Sequence, residues 1–142
     1  MQSLREDDMS FYDKLTEQLK RHEGVRLYPY EDTTGHWTIG AGRNLTDRGI
    51  TVEEVNFMLL NDILDVELQL DKNISWWRRK PENVQLVLCD MCFNLGIGGL
   101  LTFDKFLRAI RLNYMETAQV EMMDSRWSTQ VGRRAENLKE LL

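Results

Sequence analysis

The chain has 142 residues, 42% of them hydrophobic, enough for one compact domain or two small lobes with a core. Its 18 Lys and Arg against 23 Asp and Glu leave a formal net charge of −5, which argues against nucleic acid as a partner, because phosphate binding needs a basic face. No apolar stretch approaches the length that spans a bilayer, and the N-terminus MQSLREDDMS lacks a signal peptide's apolar centre, so a chain made and kept in the cytoplasm, without membrane insertion, is expected.

Residues 1–9 read as a loose leader. Ser10 predicts the N-cap of a first helix over 10–24, in which Phe11, Leu15 and Leu19 recur every four residues beside Tyr12. Gly24 supplies the residue that closes a helix in the left-handed conformation, which puts Glu23 in the last turn. Residues 25–50 change period. Leu27, Tyr28 and Tyr30 predict a strand, Asp32-Thr33-Thr34-Gly35 a turn, Trp37-Thr38-Ile39 a second strand, and Gly40-Ala41-Gly42 a tight bend. This β lobe is too small to be stable alone.

Thr51 followed by Glu54 is a capping-box signature that opens a long helix over 51–72. One apolar face carries Val52, Val55, Leu59, Ile63, Val66 and Leu70, and a second carries Phe57, Leu60 and Leu64, so the helix is suited to run between two lobes. Residues 73–142 form a helical lobe. Pro81 fits the first turn of a nearly all-apolar central helix that Gly96, Gly98 and Gly99 end. Three shorter helices follow, over 103–112, 116–124 and 132–141, with Leu107 and Ile110 facing the core in the first and Val120 and Met123 in the second. Cys89 and Cys92 lie in the apolar run with no second ligand pair, and read as reduced core thiols rather than a metal or redox site. No phosphate loop, metal-ligand cluster or cofactor motif appears, so no cofactor and no metal are expected.

Glycosidic cleavage needs an acid to protonate the leaving oxygen and a second carboxylate to activate water or attack the sugar, on opposite sides of the bond. Glu23 at a helix end and Asp32 in the following turn come from different elements. A helix C-terminus carries partial negative charge, which disfavours a nearby anion and suits a proton donor. Asp32 on a hydrated turn should stay ionised. With 23 acidic residues many pairs can be drawn, and in the bland alternative Asp32 merely shapes its turn.

The string HEGVRLYPYEDTTGHWTIGAGRNLT closely resembles the signature of the phage lysozymes, glycoside hydrolase family 24. Glu23-Gly24-Val25-Arg26-Leu27, Tyr30, Asp32-Thr33-Thr34-Gly35 and Thr38-Ile39-Gly40-Ala41-Gly42 fall in register with it, and Phe93-Asn94-Leu95-Gly96, Phe103, Leu107-Arg108, Ser125-Arg126-Trp127 and Arg134-Ala135 resemble the family's helical lobe. The likeness runs from about Phe11 to the C-terminus. It implies an α+β, mainly α, lysozyme-like fold: a small antiparallel β lobe and a helical lobe joined by a long helix, with the active-site cleft between. It also implies Glu23 as catalytic acid, Asp32 as the carboxylate that handles the attacking water, and Thr38 as the hydroxyl that helps hold that water. Phe93 matches a cleft aromatic and Arg134 an arginine that pairs with the catalytic glutamate. Asn44, assigned to substrate binding, stands with Phe106 and Glu121 near the cleft, where a relative has other sugar-contacting residues.

The implied activity is that of an endolysin hydrolysing the β-1,4 bond between N-acetylmuramic acid and N-acetylglucosamine of peptidoglycan, with inversion. A monomer is expected, held in the host cytoplasm until a holin gives it access to the periplasmic wall. A lytic transglycosylase and a non-catalytic peptidoglycan-binding virion module are the alternatives. A relative's histidine after Gly-x-Gly is here Arg43, and an Arg43–Asp62 pair is expected in its place. Trp76 and Trp77 are read as packing where the long helix enters the helical lobe, Trp37 as packing against its own lobe, and Trp127 as core.

Overall fold

The computed structural model describes residues 6–142, of which 6–9 are described by backbone alone. The chain divides into two compact units, Met1–Val55 and Asn56–Leu142.

In the first unit, helix α1 (Glu6–Glu23) begins before Ser10, which therefore lies inside the helix rather than capping it. The first five residues of the expected leader lie outside the described residues. Lys20, Arg21 and His22 fill the last turn, where cations complement the helix dipole. Gly24 then adopts φ +76° and its N–H bonds the Lys20 carbonyl at 2.9 Å, the left-handed stop that the sequence predicts. Strands β1 (Arg26–Glu31), β2 (Trp37–Gly40) and β3 (Arg43–Asn44) make an antiparallel sheet in that order. Tyr30 pairs with Thr38 and Glu31 with Trp37, but the register shifts between Arg26 and Tyr30. That interval contains Pro29, which has no N–H to give a ladder and is tolerated because β1 is an edge strand. Trp37, expected to pack against its own lobe, is half exposed.

The second unit takes all of helix α2 (Val52–Asn73) beyond its first turn. Of the α2 apolar positions only Val66 and Leu70 are buried. A 3-10 turn at Trp77–Arg79 leads into α3 (Glu82–Leu101), with α4 (Asp104–Arg111), α5 (Met115–Met123), α6 (Arg126–Val131) and α7 (Arg133–Leu141) following. Leu88, Met91, Leu100, Phe106, Ile110 and Met122 are fully enclosed, as close packing in a core demands. Trp77 and Trp127 are buried, and each indole N–H finds an acceptor, Asp71 Oδ1 and Asn94 Oδ1, both at 2.8 Å.

Several expectations are corrected. Helix α3 spans 20 residues with mean hydropathy 1.7 over its most apolar window, so one stretch is long and apolar enough to cross a bilayer. Here Val84, Val87, Leu88, Met91, Cys92 and Leu100 from that helix are buried in protein. Gly96 (φ +75°, ψ 161°) is non-helical and divides α3 into two helical stretches at a kink, so the central helix stops at the first of the three glycines expected to end it and a second stretch runs on to Leu101. In α5 the buried pair is Ala118 and Met122, four residues apart, while Val120 is exposed. Phe106, expected near sugar, is core. Short helix α6 was not anticipated; the Ser125 hydroxyl caps it, accepting from the Ser128 N–H at 3.1 Å.

Candidate active site

Glu23 ends α1, and its carboxylate lies against the bend between β2 and β3. A Cβ at Gly42 would stand 2.8 Å from Glu23 Oε2 and 3.0 Å from its Cδ. Gly42 also adopts φ +79°, a backbone conformation that favours glycine, and a side chain there would displace the Glu23 carboxylate.

Asp32 sits in the turn between β1 and β2. Its Oδ1 accepts from the Thr34 N–H at 2.8 Å, the Thr34 hydroxyl at 2.8 Å and the His36 N–H at 2.9 Å. The His36 backbone N–H, then the Thr34 hydroxyl, hold the Asp32 carboxyl below the usual carboxylate range, since hydrogen bonds to the anion favour it. All these donors meet one oxygen. Among the described residues Oδ2 receives no such bond, and it remains free to orient a small nucleophile.

Thr38 is buried in β2, 4% exposed, and its hydroxyl donates to the His36 carbonyl at 3.0 Å. Its proton is thus committed while its oxygen can still accept. Asp32, His36 and Thr38 form one hydrogen-bonded group at the start of β2, whereas Glu23 lies against the bend beyond its end. Asn44 pairs with Thr38 across the sheet, but its side-chain amide is engaged at both ends: Nδ2 donates to Asp47 Oδ2 at 3.1 Å and Oδ1 accepts from the Asp47 N–H at 3.0 Å.

Arg43 takes a different partner from the one expected. Its Nη1 donates to Glu54 Oε1 at 2.8 Å and to the Gly49 carbonyl at 3.2 Å; Glu54, not Asp62, is the carboxylate it holds. Glu54 reaches Arg43 because the capping box, Thr51 N–H to Glu54 Oε1 at 3.0 Å and Glu54 N–H to the Thr51 hydroxyl at 3.1 Å, already folds its side chain back. The Arg43 hydrogen bond leads in lowering the Glu54 carboxyl to about 2.

In the helical unit, Phe93 and Arg134 share an apolar groove of about 320 Å³. Phe93 is 45% exposed there, unusual for a phenylalanine beside a core. Arg134 Nε donates to Asp90 Oδ1 at 2.7 Å. A larger cavity, about 450 Å³, is lined by Phe103, Phe106, Glu121, Asp124 and Arg126; it includes the Phe106 and Glu121 positions expected near the cleft but none of Glu23, Asp32, Thr38, Asn44, Phe93 and Arg134.

Comparison with known families matches the one described as Phage lysozyme over residues 20–140. The chain belongs to the phage lysozyme family. It is 31% identical to an endolysin of Acyrthosiphon pisum secondary endosymbiont phage 1, covering 78% of this chain and 74% of that protein. It is 27% identical to the pre-baseplate central spike protein Gp5 of Enterobacteria phage T4, over 90% of this chain but only 27% of the spike protein. Probable T4-type lysozyme 2 of Dictyostelium discoideum is 25% identical over 85% of this chain and 88% of its own. Phage lysozymes as a family are peptidoglycan-lysing glycosidases, and both the α+β fold and the mainly helical composition agree with membership.

Sequence reasoning did not single out His36, Thr34 or Asp47. Thr34 was visible only as part of a turn motif. His36 with Asp32 four positions before it and Asp47 eleven after it was the available signal, and it became specific only once the turn folded both its ring nitrogens toward acceptors.

Proposed function

We propose that the chain hydrolyses the β-1,4 bond between N-acetylmuramic acid and N-acetylglucosamine in bacterial peptidoglycan, with inversion. The observation that carries this reading is the Asp32 carboxylate, kept ionised through Oδ1 while Oδ2 stays free. In the proposed reaction Glu23 gives its proton to the glycosidic oxygen as the bond from the muramic anomeric carbon breaks. A water oriented by Asp32 Oδ2 and the Thr38 oxygen bonds that carbon and gives its proton to Asp32. Solvent then restores both carboxyl groups. Retention would require the two carboxyl groups at about 5–5.5 Å, close enough for a covalent adduct. Phe93 and Arg134 are proposed glycan contacts, Phe93 by stacking its open face on a sugar ring. Asn44, already paired with Asp47, is proposed to shape the sugar-facing loop.

Purified cell walls test this. Glu23→Gln and Asp32→Asn should each lower wall lysis by about 100-fold or more while the far-ultraviolet circular dichroism is unchanged. Products should carry reducing N-acetylmuramic acid, first released as the α anomer. Anhydro ends would identify a transglycosylase instead, and lysis undiminished in both variants would refute the assignment.

The endolysin likeness supports a lysis role, and we extend it to a monomer that leaves the host cytoplasm for the periplasmic wall by a holin's action. A second reading, a wall-acting or wall-binding module carried on a virion, is favoured by the match to a segment of the spike protein.

A further inference from the structure

We propose that His36 and Asp47 are positioning residues for Asp32, and that the chain Asn44–Asp47–His36–Thr34–Asp32 is complete only when the His36 ring carries protons on both nitrogens. The inference rests on the catalytic role proposed for Asp32. It starts from the direction of each hydrogen bond. Thr34 has one hydroxyl proton, and at 2.8 Å it goes to Asp32 Oδ1, which as an anion can only accept. With the Thr34 proton so placed, the ring donates the bond between His36 Nδ1 and Thr34 Oγ1. On the other side His36 Nε2 faces Asp47 Oδ2 at 3.3 Å. That oxygen is itself fixed: it accepts from Asn44 Nδ2, and the amide's orientation is set because its oxygen takes the Asp47 backbone N–H. Two acceptors thus confront the two ring nitrogens.

A neutral imidazole has one N–H. Either neutral tautomer breaks one link, turning a lone pair toward the Asp47 carboxylate or toward the Thr34 oxygen. The doubly protonated ring satisfies both. The ionisable groups facing the ring are both acidic: Asp47 from the segment after β3, and Asp32 from the ring's own turn, whose Oδ1 lies 3.7 Å from Nδ1. The Thr34 hydroxyl is one of three donors on Oδ1, beside the Thr34 and His36 backbone N–H groups, and it is through this hydroxyl that the ring trims the rotation of the Asp32 carboxylate and the direction of Oδ2. Misdirecting that oxygen affects the reaction step rather than binding of the glycan.

The test is kcat and KM on a soluble glycan across pH, for the wild type, His36→Gln, Asp47→Asn and, as control, His22→Gln. His36→Gln should lower kcat about tenfold and leave KM within about twofold. His22→Gln should keep the wild-type kcat. Asp47 lies on an exposed segment, so Asp47→Asn should fold; weakening the acceptor on the far side of the ring should lower kcat in the same direction as His36→Gln, again with KM nearly unchanged. A His36→Gln profile that overlays the wild type, or a change in KM alone, overturns the proposal. The proposed function fails separately, if Asp32→Asn retains wild-type lysis. With Asp32→Asn inactive and His36→Gln unaltered, the function stands and only the positioning chain falls.

Discussion

The contact between Glu23 and Gly42 makes a glycine out of a position that carries no chemistry of its own. Replacing Gly42 with alanine would drive a methyl group to 2.8 Å from Glu23 Oε2 and force a left-handed backbone on a residue that resists it. We expect Gly42→Ala to cost about 1–2 kcal/mol from backbone strain alone, read by urea unfolding. Wall lysis should fall further than that loss explains, because the carboxylate must move; unchanged lysis would show that the contact is incidental. The placing of Glu23 at a helix end, Asp32 in a turn and Thr38 in a strand was legible because each sits in a short motif whose glycines fix the local backbone. The contacts of His36 with Thr34 and Asp47 were not, because they depend on which ring nitrogen faces which oxygen, and spacing carries no information about that.

Among the elements, the junction of β3 with the start of α2 shows how one carboxylate serves two purposes. Glu54 closes the capping box on Thr51 and accepts from Arg43. Its carboxyl stands at about 2, below its ordinary value of 4.5. A depressed acid contributes stability that is fully present above the unfolded value and disappears as pH falls through the folded one. Glu54→Gln should therefore lower the melting temperature at pH 6, with the gap to the wild type closing between about pH 4.5 and 2. A gap independent of pH would mean that the carboxylate's charge is irrelevant. The capping box was readable from Thr51 and Glu54, since its partners are three residues apart. Arg43 was paired wrongly with Asp62: its true partner is brought within reach by the box itself, an effect of side-chain direction that alignment by position does not contain. Strand β3, two residues long, and α6, six residues long, are too short for periodicity to mark.

For the whole molecule, apolar volume is concentrated in the helical unit, where α3 supplies Val84, Val87, Leu88, Met91 and Cys92 to one core. Leu88→Ala should cost about 2–5 kcal/mol by leaving a cavity that rigid neighbours cannot fill, seen as a lower urea midpoint; a loss under about 1 kcal/mol would mean that the core relaxes around the gap. The fold class was legible from the switch between two-residue and four-residue periods and from glycine and proline punctuation. The faces that helices turn inward were less so: α5 buries Ala118 and Met122, and a small alanine gives a weak hydropathy signal beside Val120.

Burial of the α3 thiols has a chemical consequence. Enclosure pushes Cys89 up to about 11 and raises Cys92 as well, so at neutral pH only about one Cys89 in ten thousand is a thiolate, the form that oxidants and disulfides attack. The folded helical unit should hold the same two sulfhydryls in reducing or oxidising surroundings alike, and a passage from one to the other leaves its covalent structure unchanged.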